Sequence, residues 1–193
     1  MTRAPAYKLE LPQVYSGKVR DIYDAGNNQY LMVTSDRISA FDVVMKQPVP
    51  DIGRVLIGIS AFWFQHFSTS MKSHLISTDL SDFPASAQVP EIAGRSMLVK
   101  KVEMLPIECI VRGYITGSAW KEYKANGTMH GTPLPTDLQE SEKLPEPVFT
   151  PSTKAEDGLH DENISFTQAA DIVGLEIAQL AKQKSLLHTS ENS

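Results

Sequence analysis

The chain has 193 residues, 41% of them hydrophobic and 21% charged, enough to bury the core of one fair-sized domain or two small ones. Its net charge of −5 excludes a general nucleic-acid binder, whose footprint is basic, but leaves room for local cationic pockets that take small anions. One cysteine, Cys109, excludes an internal disulfide framework and fits a reducing compartment.

The opening "MTRAPAYKLELPQ" lacks the apolar run of a secretory signal, and no later stretch is long enough to span a membrane, so a cytoplasmic location is expected. In "SGKVRDIYD", Ser16 and Gly17 turn the chain, so an anion there would meet backbone N–H groups and the Lys18 ammonium. Taken alone, the stretch reads more simply as an exposed hairpin with solvated charges, because short Gly-Lys matches arise by chance. "GNN" predicts a hairpin turn between a strand including Val19 to Tyr23 and a second at "QYLMVTS". In "TSDRISAFDVV", Asp36, Arg37 and Asp42 crowd a turn with apolar neighbours, the simplest reading being a local Asp36–Arg37 pair.

Leu56, Ile59, Trp63 and Phe67 recur at helical spacing and predict a buried helix face between Arg54 and Met71. "HLIST" and "SMLVKKVEML" read as strands, and Pro106 as a bend before "IECIVRGYI". In an extended strand Glu108, Ile110, Arg112 and Tyr114 share one face, with the apolar Ile107, Cys109, Val111 and Ile115 on the other. Glu108 and Arg112 would then stand roughly 13 Å apart along the strand, a fair span for a small phosphorylated ligand. The arginine suits phosphate through its fork, and the carboxylate suits a metal or an amine. Cys109, Trp63 and Trp120 read as core residues.

"GSAWKEYKANG" predicts a short helix with Ser118 as cap and Gly127 as stop. Prolines at 133, 135, 145, 147 and 151 predict a long loop over 128–160. The polar end of that loop, from Lys154 to Asn163, could hold a divalent ion or simply be solvated. Ser165 and Gln168 have capping-box spacing, and Phe166, Val173, Ile177 and Leu180 form the stripe of one final helix before a polar tail. Strands come first, without regular strand–helix alternation, so the class expected is α+β.

Six segments in order resemble the phosphoribosylaminoimidazole-succinocarboxamide synthase (SAICAR synthetase) family. They are "SGKVRDIYD", "VTSDRISAFDVV", "PDIGRVLIGISAFWF", "KKVEMLPIECIVRGYITGSAWKEY", "LQESEKLPEPVFTPSTKAE" and "HDENISF". The resemblance implies an ATP-dependent ligase that joins the carboxylate of CAIR, a phosphoribosyl aminoimidazole, to the amine of L-aspartate in purine synthesis. It implies an amino-terminal, antiparallel β-rich nucleotide-binding domain over 1–105, related to those of kinases and ATP-grasp enzymes. The start of an α/β substrate-binding domain would follow over 106–193.

By the same resemblance, Gly17, Lys18, Val19 and Arg20 would cradle the ATP phosphates, and a strand with Lys100, Val102 and Met104 would line the adenine. Glu108 would hold magnesium and the imidazole carboxylate, with Lys18, Glu108 and Arg112 as the catalytic set. Arg112 and Ser118 would take the ribose phosphate of CAIR, and Asp42, Lys154 and Asp161 would stand at the substrate end of the site. The implied partners are ATP, magnesium, CAIR and L-aspartate, with no nucleic acid and no membrane. The family's later D-x-K-x-E-F-G and acidic motifs find no counterpart after Phe166, so the resemblance also implies a chain that lacks the family's carboxyl-terminal part. Two alternatives remain: a non-catalytic nucleotide- or phosphoribosyl-binding module, and a kinase-like phosphotransferase. The latter lacks an H-R-D or D-F-G pattern.

Overall fold

A computed structural model describes residues 7–40, 43–154 and 161–190. The chain forms two compact units, Met1–Glu103 and Met104–Ser193. The class is α+β, with antiparallel pairing throughout the described sheets.

The first unit is built on β1 (Gln13–Ser16), β2 (Arg20–Gly26) and β3 (Gln29–Thr34). Asn27 and Asn28 join β2 to β3 with φ of 50° and 58°, the left-handed pair that a tight hairpin turn requires. Asn tolerates this backbone better than most residues, which is why "GNN" was legible as a turn. A two-residue ladder of β4 (Ser39–Ala40) and β5 (Val43–Val44) precedes helix α1 (Ile52–His66). Then β6 (Leu75–Ser77), three short 3-10 turns and β7 (Ser96–Lys100) complete the sheet in the order β1-β2-β3-β7-β6.

Alternation along these strands sorts side chains between two faces. Tyr23, Leu31, Val33 and Leu98 join Phe83 and Ile92 in one core. Met97 and Val99 point the other way, to Ile57 of α1. Because α1 meets the sheet through Gly53 and Ile57, the expected stripe faces outward: Leu56, Ile59 and Trp63 are 45%, 50% and 41% exposed. The helix was readable; its buried side was not. The reason is backbone proximity. A Cβ on Gly53 would lie 2.7 Å from the Thr34 carbonyl oxygen, so the helix is drawn in along its smallest residue.

β7 ends at Lys100, and 101–105 carry no strand, against the longer strand expected there. In the second unit the expected single strand at "IECIVRGYI" is two, β8 (Ile107–Glu108) and β9 (Val111–Tyr114). They pair with different partners, so register is lost at Cys109 and Ile110, and Cys109 is exposed rather than buried.

Thr116 stands at the N-cap position of helix α2 (Gly117–Asn126) without a side-chain capping bond, and Ser118 lies inside the first turn rather than at the cap. Gly127 ends it at φ 71°, as expected from the sequence. The segment expected as an unbroken loop holds β10 (Thr128–Met129), β11 (Thr132–Pro133), β12 (Lys143–Phe149) and β13 (Ser152–Thr153). β12 tolerates Pro145 and Pro147 because it has one partner, β9, and its register jumps between Lys143 and Val148.

The last helix is likewise two: α3 (Phe166–Val173) and α4 (Leu175–Ser190), broken at Gly174 with φ 88°. The break separates Val173, packed against Ile107, Ile164 and Ala169, from Ile177 and Leu180, which are exposed. α4 also takes in most of the stretch expected as a polar tail. The Ser165–Gln168 capping box is present, each side chain accepting from the other residue's backbone N–H. No described helix is long and apolar enough to cross a membrane.

Candidate functional site

In the first unit the candidate residues are gathered at the β1–β2 turn. The Gly17 N–H donates to the Arg20 carbonyl at 2.8 Å, closing a tight turn with Lys18 and Val19 at its tip. That bond commits the Gly17 amide, so the expected cradle loses one of its donors. A side chain at position 17 would meet the Tyr15 ring at 2.9 Å, so the turn takes this form with glycine.

Behind the turn lies a polar cluster. Asp21, 1% exposed, accepts from Ser16 Oγ at 2.6 Å, Tyr7 OH at 3.1 Å and Gln13 Nε2 at 3.4 Å. Burial, and after it the Asp21 carboxylate, drives the Tyr7 hydroxyl well above its usual range, so it stays a donor. Arg37 approaches Asp21 and also donates to Ser35 Oγ and to the Gly17 carbonyl.

Arg37 therefore does not pair with Asp36 as expected. Asp36 takes a bidentate contact from Arg95, at 3.0 and 3.1 Å, and accepts the Gly53 N–H at 3.1 Å. Burial would raise the Asp36 carboxyl, but Arg95 and the Gly53 amide outweigh it and hold the group below its usual range. Asp36 thus caps α1, whose own Asp51 makes no side-chain cap. Sequence reasoning missed the partners of Arg37 and Asp36 because Asp21 and Arg95 lie 16 and 59 residues away from them.

Val19 and Arg20 continue into a cavity of about 360 Å³ on the α1 side of the sheet, with Thr34, Phe64, His74 and Met97 among its walls. Burial lowers the His74 imidazole, which favours its neutral form. Of the residues expected to line an adenine, Lys100 and Val102 are exposed beyond or at the end of β7, and Met104, also exposed, belongs to the second unit. Asp42 lies outside the described residues.

In the second unit Glu108 is exposed on β8 and Ser118 on α2, while Arg112 is half-buried on β9. The Arg112 Nη1 group reaches Thr150 Oγ1 and His130 Nε2, the latter at 3.3 Å. Among the described residues no partner takes its Nη2 or Nε. Burial lowers the Arg112 guanidinium somewhat, without bringing it near neutrality at ordinary pH. Lys154 and Asp161 are exposed, Lys154 Nζ lying 3.2 Å from Met104 Sδ. The structure thus brings Arg112 to a held, presented position and leaves Glu108, Ser118, Lys154 and Asp161 at the surface of the same unit.

Among the described residues no group of three His, Cys, Asp or Glu side chains could hold a metal. Magnesium does not need such a cage, since it is commonly held by one or two carboxylates plus phosphate oxygens and water. Glu108 fits as a single contributor of that kind and no more.

A glycine-closed turn bearing lysine and arginine in one unit, and an arginine held on a strand in the other, are the cationic features of this α+β protein. The SAICAR synthetase family model matches residues 13–190, and the chain belongs to that family. A phosphoribosylaminoimidazole-succinocarboxamide synthase of Trichlorobacter lovleyi is 55% identical over 187 residues, covering 96% of this chain and 62% of the relative. The one from Geobacter sulfurreducens is 58% identical over 165 residues, covering 84% and 55%. A solved SAICAR synthase from Saccharomyces cerevisiae, complexed with SAICAR, superposes with a TM-score of 0.85 at 43% identity, over 96% of this chain and 64% of that one. The chain therefore spans about three-fifths of the length of these relatives.

Proposed function

We propose that the chain supplies the nucleotide- and phosphoribosyl-binding parts of a cytoplasmic ATP-dependent ligase that joins CAIR to L-aspartate. The observation that carries this is the family match across 13–190, together with the Saccharomyces relative complexed with SAICAR.

On this reading the Lys18 ammonium and the remaining amides of the Gly17–Val19 turn hold the ATP phosphates, and Arg20 adds charge at the start of β2. Lys100, at the end of β7, and Val102 and Met104 beyond it line the base through backbone groups. The Arg112 fork takes the sugar phosphate of CAIR with Ser118, while Asp42, Lys154 and Asp161 serve the aspartate side. Glu108 gives one oxygen to magnesium, which neutralises charge on the phosphates when bound.

A carboxylate is a poor acceptor for an amine. The γ-phosphoryl group of ATP passes to the CAIR carboxylate, giving an acyl phosphate and ADP. The aspartate amine then attacks the acyl carbon, the C–O bond to phosphate breaks, and the nitrogen loses a proton as the amide forms. The chain's contribution is placement of anions that repel one another, which explains local cations in a protein of net charge −5.

A second reading is a nucleotide- and phosphoribosyl-binding module without turnover. The two are separated by supplying CAIR, L-aspartate and magnesium ATP to the chain. Aspartate-dependent release of ADP with SAICAR supports the ligase. Calorimetric binding of ATP and CAIR without product supports the module, and binding of neither contradicts both.

A further inference from the structure

His130 carries no local pattern that singles it out. It sits with Gly131 at the turn between β10 and β11, with φ of 49° and 74° at the two residues. Histidine enters this backbone region more readily than most residues, and here the residue is only 5% exposed. Glu122 of α2 secures the turn: its carboxylate accepts the N–H groups of His130 and Gly131, at 3.0 and 3.2 Å, and the Thr128 hydroxyl at 2.9 Å. Burial would raise this carboxyl, but the three donors, led by the His130 amide, hold it below its usual range. The turn is therefore anchored by a lasting negative charge, and the ring is free to serve something else.

The two ring nitrogens have incompatible neighbours. Nδ1 lies 3.0 Å from the Pro151 carbonyl oxygen, which can only accept. Nε2 lies 3.3 Å from Arg112 Nη1, which can only donate. Both contacts are satisfied at once by one form, the neutral imidazole with its proton on Nδ1. Thr150 completes the arrangement. Its hydroxyl donates to the Ile110 carbonyl at 3.3 Å, leaving a lone pair for the same Nη1 group. One edge of the guanidinium is thereby held by two acceptors, and its Nη2 and Nε edge is presented.

We propose that His130 is a positioning residue that sets the plane of Arg112, and that its protonation in mild acid releases the arginine and weakens binding of a sugar phosphate. The ligand part rests on the reading of Arg112 as the phosphoribosyl cation. A proton on Nε2 would place two donors and two positive charges 3.3 Å apart, so the held arginine and the charged imidazole exclude each other. Among the described residues, the charged groups acting on the ring are Arg112 from β9 and Glu122 from α2. Burial first, and the Arg112 charge with it, lowers the imidazole below its usual 6.5; the Pro151 carbonyl, Glu122 and the Ile164 backbone oppose this without reversing it.

The test has two arms on the 193-residue chain. Long-range ¹⁵N correlation spectra, with His130 assigned by its loss in His130→Gln, should show the neutral Nδ1–H tautomer at pH 7. They should also show ionisation only below pH 6.5. An Nε2–H tautomer, or an imidazolium at pH 7, overturns the orienting role.

The second arm titrates ribose 5-phosphate from pH 7.5 to 5.5. His130→Gln keeps an acceptor that cannot ionise, so binding at pH 7 should stay within about threefold of the parent. Its affinity should then fall less in acid than the parent's, the remaining fall belonging to the phosphate itself. His130→Ala should lose about tenfold at pH 7, the scale of one charge-assisted hydrogen bond. Superimposable pH profiles for the parent and His130→Gln overturn the acid release. Failure of the parent to bind at pH 7 removes the reading of Arg112, and the spectra then decide the orienting role by themselves.

Discussion

The Arg37 guanidinium lies 3.7 Å from the Asp21 carboxylate, with the two side chains 13% and 2% exposed. The same arginine reaches the Gly17 carbonyl at 3.4 Å, and Asp21 accepts the Ser16 hydroxyl. Both ends of the pair thus touch the turn that carries Lys18. An ion pair sealed this far from water is costly to break from one side, because the remaining charge loses its partner without gaining solvent. Arg37→Ala should cost about 3 kcal/mol of unfolding free energy in urea titrations. Removing both partners, as Asp21→Ala with Arg37→Ala, should cost clearly less than the sum of the single changes. Strict additivity would mean that the pair is not coupled.

The seating of α1 makes a paired prediction about two glycines on one helix. A methyl at Gly53 would stand 2.7 Å from the Thr34 carbonyl oxygen and 2.9 Å from that of Ser35. Backbone cannot yield as a side chain end can, so Gly53→Ala should destabilise by about 1–3 kcal/mol. Gly58, on the same helix, has nothing within 4 Å of its would-be Cβ and no positive φ. Gly58→Ala should stabilise by about 0.5–1 kcal/mol, since alanine loses less entropy in a helix. Denaturation midpoints of the two variants should move in opposite directions.

Stability should fall as the solution is made mildly acidic. His74 and His130 are both shifted below their usual 6.5, burial being the leading cause in each. The unfolded chain therefore takes up these protons before the folded one does. The folded state's advantage is complete above pH 6.5 and shrinks as pH falls from there towards the lowered native values. Asp36 and Glu122, held below their usual range, add a second loss at more acid pH, below about 4. Thermal midpoints should be flat above pH 7 and decline from about 6.5, less steeply in His130→Gln. A rise in midpoint between pH 7 and 5.5 would contradict the assignment.

How much of this was legible depended on distance along the chain. The β2–β3 hairpin, the Gly127 stop and the Ser165–Gln168 capping box follow from residues at most a few positions apart, and all three are present. What failed depended on partners elsewhere. Nothing near Trp63 reveals that Gly53 meets the backbone at the end of β3 and turns the apolar stripe outward. Cys109 looked like a core residue on a continuous strand, but the strand breaks because β8 and β9 pair with different segments. The prolines of 128–160 hid β12, which a one-sided ladder accommodates. At the site, Lys18 and Arg112 were chosen by residue type. Arg37's link to Asp21 and His130's hold on Arg112 span 16 and 18 residues, and no local pattern announces either.

The division of labour between the two units is tested most directly by calorimetric titration of ATP and CAIR into Lys18→Ala and Arg112→Lys. Lys18→Ala should lose ATP affinity by roughly tenfold or more, the scale of a charge-assisted contact, and keep CAIR affinity. Arg112→Lys, which trades a fork for a point charge, should weaken CAIR by about tenfold and leave ATP unchanged. Equal losses for both ligands in either variant, or no loss in its assigned ligand, would contradict that division.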